Sequence, residues 1–90
     1  MMNEAKLNLY KRSVLQALNI YGGVEARQQQ LVTDLQVGTL PDATPENVAD
    51  ALQSLLDQDH AAKRKDPYRG WVWKVTPEGH RAAAALDLEN

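Results

Sequence analysis

The stretch Lys63-Arg64-Lys65-Asp66-Pro67-Tyr68-Arg69-Gly70-Trp71-Val72-Trp73-Lys74-Val75-Thr76-Pro77-Glu78-Gly79 decides the fold. It opens on a basic run and passes through Asp66–Gly70, a turn by its Asp, Pro and Gly content. From there Trp71, Trp73 and Val75 alternate with Val72, Lys74 and Thr76, the period of a strand. One strand face thus carries two large rings, expected to fill a small core. Thr76 is a good helix N-cap and Pro77 suits the first helical position, so a helix is predicted to follow at once. A helical stretch ends near His60, just before the basic run. The layout is helix, basic hairpin, helix, with residues of about 61–65 pairing against about 71–75. It points to a binding module rather than a catalyst.

Working back towards the N-terminus, Leu7, Tyr10, Val14, Ala17, Leu18 and Tyr21 recur at helical spacing and predict a helix over about 4–21. Gly22-Gly23 ends it, because glycine accepts left-handed geometry. A second helix is predicted over about 25–36, burying Val24, Leu31, Val32 and Leu35 and leaving Gln29, Gln30 and Thr33 in water. Residues 38–43 read as a loop in which Leu40 plugs the core. The third helix, about 45–59, has Thr44 as cap, Pro45 at its first position and Glu46 at the positive end of its dipole. Val48, Ala51, Leu52, Leu55 and Leu56 form its core stripe. An alanine-rich helix over about 77–86 follows the hairpin, and Leu88-Glu89-Asn90 are expected to fray. The expected fold is mainly α with a small β-hairpin: a three-helix core, two paired strands and a C-terminal helix, all in one domain spanning 1–90.

Ninety residues suffice for one small core with little surplus stability. A hydrophobic fraction of 43% and a charged fraction of 24% are those of an ordinary globular protein. The absence of cysteine excludes disulfides and thiolate metal sites and suits a reducing, cytoplasmic location. No signal-like or bilayer-length apolar run is present, so no membrane role is expected. The net charge of −2 lacks the basic whole-domain footprint usual in nucleic-acid binders.

The segment Trp73-Lys74-Val75-Thr76-Pro77-Glu78-Gly79 resembles the aromatic-x-aliphatic-Thr-x-x-Gly segment that closes the wing in repressors of the MarR and PadR type. Its position also resembles theirs, since it follows a helix bearing Leu52, Leu55 and Leu56. The resemblance implies a winged helix and a small bacterial-type DNA-binding transcription regulator, acting as a dimer. It further implies that the third helix enters the major groove while the hairpin, the wing, touches backbone. Lys63, Arg64, Lys65, Arg69 and Lys74 would then hold phosphate, and Thr44 and Asn47 would be the polar groups that reach bases. The sequence departs from that pattern on the outer face of the third helix. Helical spacing places Glu46, Asp50, Gln53 and Asp57 there, with no base among them. Carboxylates near phosphate are repelled.

A second reading follows from that face: a winged helix used for protein contacts, with the acidic surface meeting a basic partner. Met2, Leu9, Ser13, Gln16 and Ile20 share a first-helix face roughly opposite the core stripe. With Ala82–Leu86 and Leu88 they are candidates for a homodimer interface, Leu9 and Ile20 leading. His60 and His80 each stand alone, and His60 reads as a helix-end cation rather than a metal ligand beside Asp57 or Asp59. No phosphate-binding loop or catalytic motif occurs, so neither an enzyme nor a cofactor is expected.

Overall fold

Asn3 starts the first helix by accepting a 2.8 Å hydrogen bond from the Lys6 amide, and Gly22, at φ 64°, ends it. The computed structural model describes residues 2–88. In chain order it contains α1 (Glu4–Tyr21), β1 (Ala26–Arg27), α2 (Gln28–Val37), α3 (Pro45–Asp57), β2 (Ala61–Asp66), β3 (Gly70–Val75) and α4 (Pro77–Leu88). Tyr10, Val14 and Leu18 of α1 meet Leu31, Val32 and Leu35 of α2 and Val48, Leu52 and Leu55 of α3 in one core. Each fully buried Leu or Val contributes about 1.5–3 kcal/mol through apolar burial. Leu40 packs partly against this core, as expected of the loop. Glu89 and Asn90, expected to fray, lie outside the described residues.

The architecture is mainly helical with a three-stranded antiparallel sheet in the order β1-β3-β2. It is consistent with a winged-helix-like fold, but with one strand more than the expected pair. Ala26 pairs with Trp73 and Arg27 with Val72 along the edge of β3 left open by β2. The second helix therefore begins at Gln28 rather than near Glu25, and Val24 is 65% exposed rather than buried. A two-residue strand has no periodicity of its own. The open β3 edge satisfies the Ala26–Arg27 backbone better than another helical turn does, so tertiary pairing overrides helix propensity. Gln30 then accepts from the Arg27 amide at 2.8 Å and steadies the first turn of α2.

The hairpin pairs Ala61 with Val75, Lys63 with Trp73, Lys65 with Trp71 and Asp66 with Gly70. Its two tryptophans share a face but not an environment. Trp73 is 6% exposed and joins the core, whereas Trp71, nearer the hairpin tip, is 53% exposed. Only the inner end of that face lies over the helices. Val72 points the other way and is fully buried, with Arg27 and Arg64 as its cross-strand neighbours.

A backbone junction sets where the hairpin stands. α3 ends at Asp57, two residues short of the expected end, because Asp59 adopts φ 62° and turns the chain. The Asp59 and His60 amides donate back to Leu56 and Leu55 carbonyls at 3.0 and 2.9 Å, closing the helix end. Thr76 then binds this turn, its hydroxyl donating to the Asp59 carbonyl at 2.5 Å and its amide to the His60 carbonyl at 3.2 Å. The same hydroxyl caps α4 by accepting from the Gly79 amide at 3.0 Å. Gly79 is buried here. A Cβ on it would overlap the His60 carbonyl and lie 2.9 Å from a Val75 methyl. The Thr76-x-x-Gly79 spacing is thus a requirement of packing.

Gly79→Ala is expected to cost about 1–3 kcal/mol, the range for forcing atoms into a filled site. Gly23→Ala should stay near neutral, since nothing lies within 4 Å of a Cβ there. Urea midpoints of the two variants check this contrast. By the same measurement Trp73→Ala should cost about 3–5 kcal/mol, as large aromatic deletions from cores do, and Trp71→Ala less, roughly 1–2 kcal/mol.

Candidate nucleic-acid interface

Strand alternation sorts the basic residues of the wing onto two faces. Lys63 and Lys65 lie with Trp71 and Trp73, while Arg64 and Lys74 lie with Val72 on the other. The Lys63 ammonium sits 4.9 Å from the centre of the Trp71 ring and 5.6 Å from that of Trp73. Lys65 lies 5.9 Å over Trp71. Those are cation–π distances, each worth about 0.5–1 kcal/mol at an exposed site. The turn beyond is built by Asp66, whose carboxylate accepts from the Tyr68 and Arg69 amides at 2.8 and 2.9 Å. Gly70 accepts the left-handed φ of 76° that closes it. Tyr68 is left at the tip, 96% exposed.

The arginines are engaged differently. Arg64 grips Glu25 through two contacts of 2.5 and 2.7 Å, and reaches Asp66 at 3.4 Å. Arg69 reaches Glu25 and Asp66 at 3.3 Å each. Two cations and two carboxylates thus close a network across the outer sheet face. The Arg64 guanidinium holds the Glu25 carboxyl below its ordinary value, and the Tyr68 and Arg69 amides do the same for Asp66. Among the described residues, Lys63, Lys65 and Lys74 make no ion pair. Of the five expected phosphate contacts, the three lysines therefore carry the uncompensated charge.

Both carboxyls ionise more readily in the folded wing, so their contribution is present above the ordinary carboxylate range and is lost as pH falls through and below about 4. Amide exchange across β2 and β3 should accordingly quicken between about pH 5 and pH 3 relative to exchange in α1. In Glu25→Gln that acid-dependent quickening should be reduced, leaving the part due to Asp66.

The third helix offers little to a phosphate backbone. Thr44 is half-buried and spends its hydroxyl on capping, accepting from the Asn47 amide at 3.2 Å. Asn47, also half-buried, donates to the Tyr10 hydroxyl at 3.4 Å. Glu46, Asp50, Gln53 and Asp57 are exposed on the outer face as expected, with Gln53 donating to Asp57 at 2.9 Å. Asp50, Gln53 and Asp57 also line a shallow groove with Met2, Leu7 and Ser54. The acidic face and the N-terminal end of α1 thus form one surface.

The expected association face on α1 is divided. Ser13 is only 7% exposed, Gln16 is half-buried and Met2 packs against the core, so this face is not opposite the core as expected. Its middle leans towards α2, where Ser13, Ala17, Tyr21, Leu35 and Gly38 line a groove with Ile20 on its wall. Leu9 and Ile20, 50% and 86% exposed, remain outward. On α4, Ala83 is buried and Ala82 and Leu86 lean on the core, which leaves Ala84 and Ala85 facing out. The side chain of Leu88 lies outside the described residues.

Glu25 was not among the expected site residues, since its arginine partner stands 39 positions away and no local spacing links them. Trp71 as an exposed ring was missed for a related reason, because alternation alone places it with Trp73. Among the described residues no group of three or more His, Asp or Glu is placed to hold a metal, and no helix is long and apolar enough to cross a membrane.

The fold is shared with a solved transcriptional regulator from Clostridium thermocellum, Cth-833, at a TM-score of 0.73 and 14% sequence identity. The match covers 99% of this chain and 87% of that one. No protein-family model matches the sequence, and no curated protein does.

Proposed function

We propose that this chain is a winged-helix DNA-binding regulator that holds nucleic acid mainly through its wing. The observation that carries the reading is the set of three exposed wing lysines, Lys63, Lys65 and Lys74, none compensated by a carboxylate among the described residues. The fold shared with a transcriptional regulator supports it, as does the MarR- and PadR-like segment that closes the wing. Phosphate contacts fix position without reading sequence. With Thr44 and Asn47 turned to the fold's own hydrogen bonds, base reading by α3 contributes little, and binding is tolerant of sequence.

Lys63→Ala and Lys65→Ala should each weaken DNA binding about equally for all sequences. Each should also lower the slope of log affinity against log salt by about one. Arg64→Ala should change the slope less, because Glu25 and Asp66 already neutralise that charge. Fluorescence anisotropy with mixed duplexes measures all three, and no binding at about 50 mM salt would remove the reading.

The acidic outer face of α3 favours a second reading, a protein-contact module whose partner is basic. The two diverge in sign. Replacing Asp50 and Asp57 by Asn should tighten DNA binding in the first, by removing repulsion beside phosphates. In the second it should weaken capture of a basic partner, with the wing lysines indifferent.

Self-association through Leu9 and Ile20 is part of the same proposal. Sedimentation at micromolar concentration should give a dimer, and Ile20→Glu a monomer that melts within a degree or two of the parent. A monomer at every accessible concentration would remove the dimer while leaving the wing proposal standing.

A further inference from the structure

The wing carries a feature that phosphate binding alone does not use, an exposed tryptophan flanked by two lysines. We infer that Trp71 is a stacking platform for an unpaired base, so that the wing takes single-stranded nucleic acid. This inference rests on the proposed wing-mediated binding and names its preferred substrate.

Three observations point the same way. The Trp71 ring is about half exposed although its neighbour Trp73, two residues along the same strand face, is buried. Trp71 therefore contributes little to the core. Lys63 and Lys65 hold their ammonium groups 4.9 and 5.9 Å from its centre. A base stacked on the ring brings its own phosphates within reach of lysines already gathered there. Such interleaving of aromatic rings and cations is how proteins bind single strands with little sequence preference. Tyr68, fully outward at the tip, offers a second ring beyond the first.

The third observation is the acidic face of α3. Glu46, Asp50 and Asp57 are exposed on the helix that would have to enter a duplex groove, and they repel a duplex docked in that manner. A single strand lying along the Lys63–Trp71–Lys65 face needs no contact with α3. On the opposite sheet face, Arg64 and Arg69 are tied to Glu25 and Asp66, which leaves Lys74 there without an aromatic ring on its own strand face. Both features direct a nucleic-acid strand to the tryptophan face.

The experiment titrates the whole protein with a fluorescein-labelled oligothymidylate and with a duplex of the same length at low salt. Anisotropy reports binding, and tryptophan emission reports stacking. The protein has only two tryptophans, and the buried one gives a constant background. Wild type should bind the single strand more tightly than the duplex, with its emission quenched. Trp71→Ala should lose about tenfold or more in single-strand affinity and change duplex affinity less than twofold. Trp71→Phe should keep most of the affinity but lose the quenching and melt near the parent, and Trp71→Ala should stay folded through the titration. Equal single-strand affinity in Trp71→Ala and the parent would overturn the inference. So would a fall in its melting temperature as large as that of Trp73→Ala, which would give the ring a core role. If the Lys63 and Lys65 variants still weaken duplex binding in either case, the proposed function survives. Failure of the parent to bind either nucleic acid would remove both.

Discussion

Gly79 brings its bare α-carbon against the carbonyl of His60, and the segments that touch there are the turn leading into the wing and the first turn of α4. Thr76 fastens the same point with its hydroxyl and its amide, reaching the Asp59 and His60 carbonyls. Through this junction the end of α3, both ends of the hairpin and the start of α4 are fixed relative to one another. The strand register follows from it, since Ala61 opposite Val75 begins the ladder that places Lys63 opposite Trp73 and Lys65 opposite Trp71. A shift of one residue would turn both tryptophans to the other face and take Trp73 out of the core. The chemistry of the wing therefore depends on a backbone contact that only glycine permits.

β1 adds a second constraint. By pairing with β3 it brings Glu25 to the outer sheet face, where Arg64 and Arg69 close on it. The arginines of a sequence that reads as a continuous basic patch are thereby neutralised, while the lysines keep their charge. Exposed ion pairs add little to stability. Their larger effect here is on the electrostatic surface, which becomes a lysine and tryptophan face backed by one whose arginines are neutralised and which keeps the charge of Lys74.

Residues that act through local chemistry were legible in the sequence. Thr44 and Thr76 as caps, Gly22 as a helix end and the leucine stripe of α3 all depend on neighbours within a turn or two, and each stands where expected. Features set by distant contacts were not. Ala26 and Arg27 become a strand only because β3 presents an open edge, and Glu25 becomes part of the wing only because that strand carries it there. The unequal burial of Trp71 and Trp73 depends on how far the helices extend beneath the sheet, which alternation does not encode. For the candidate site, residue types and faces were readable, including the acidic side of α3. The engagement of Thr44, Asn47, Arg64 and Arg69 in contacts of the fold itself was not.

If the hairpin meets nucleic acid as proposed, its lysines make the contacts and its two arginines are withheld by Glu25 and Asp66. The salt dependence of binding by the unmodified protein counts those charges directly. Two phosphate contacts, by Lys63 and Lys65, imply a slope of log affinity against log salt of roughly −1.5 on a single strand lying along the tryptophan face, and three, with Lys74, roughly −3 on a duplex. A slope in that range is the predicted result. One of roughly −3.5 on the single strand, or −4.5 on the duplex, would mean that all five cations engage phosphate and that the network with Glu25 and Asp66 opens on binding, contradicting the account.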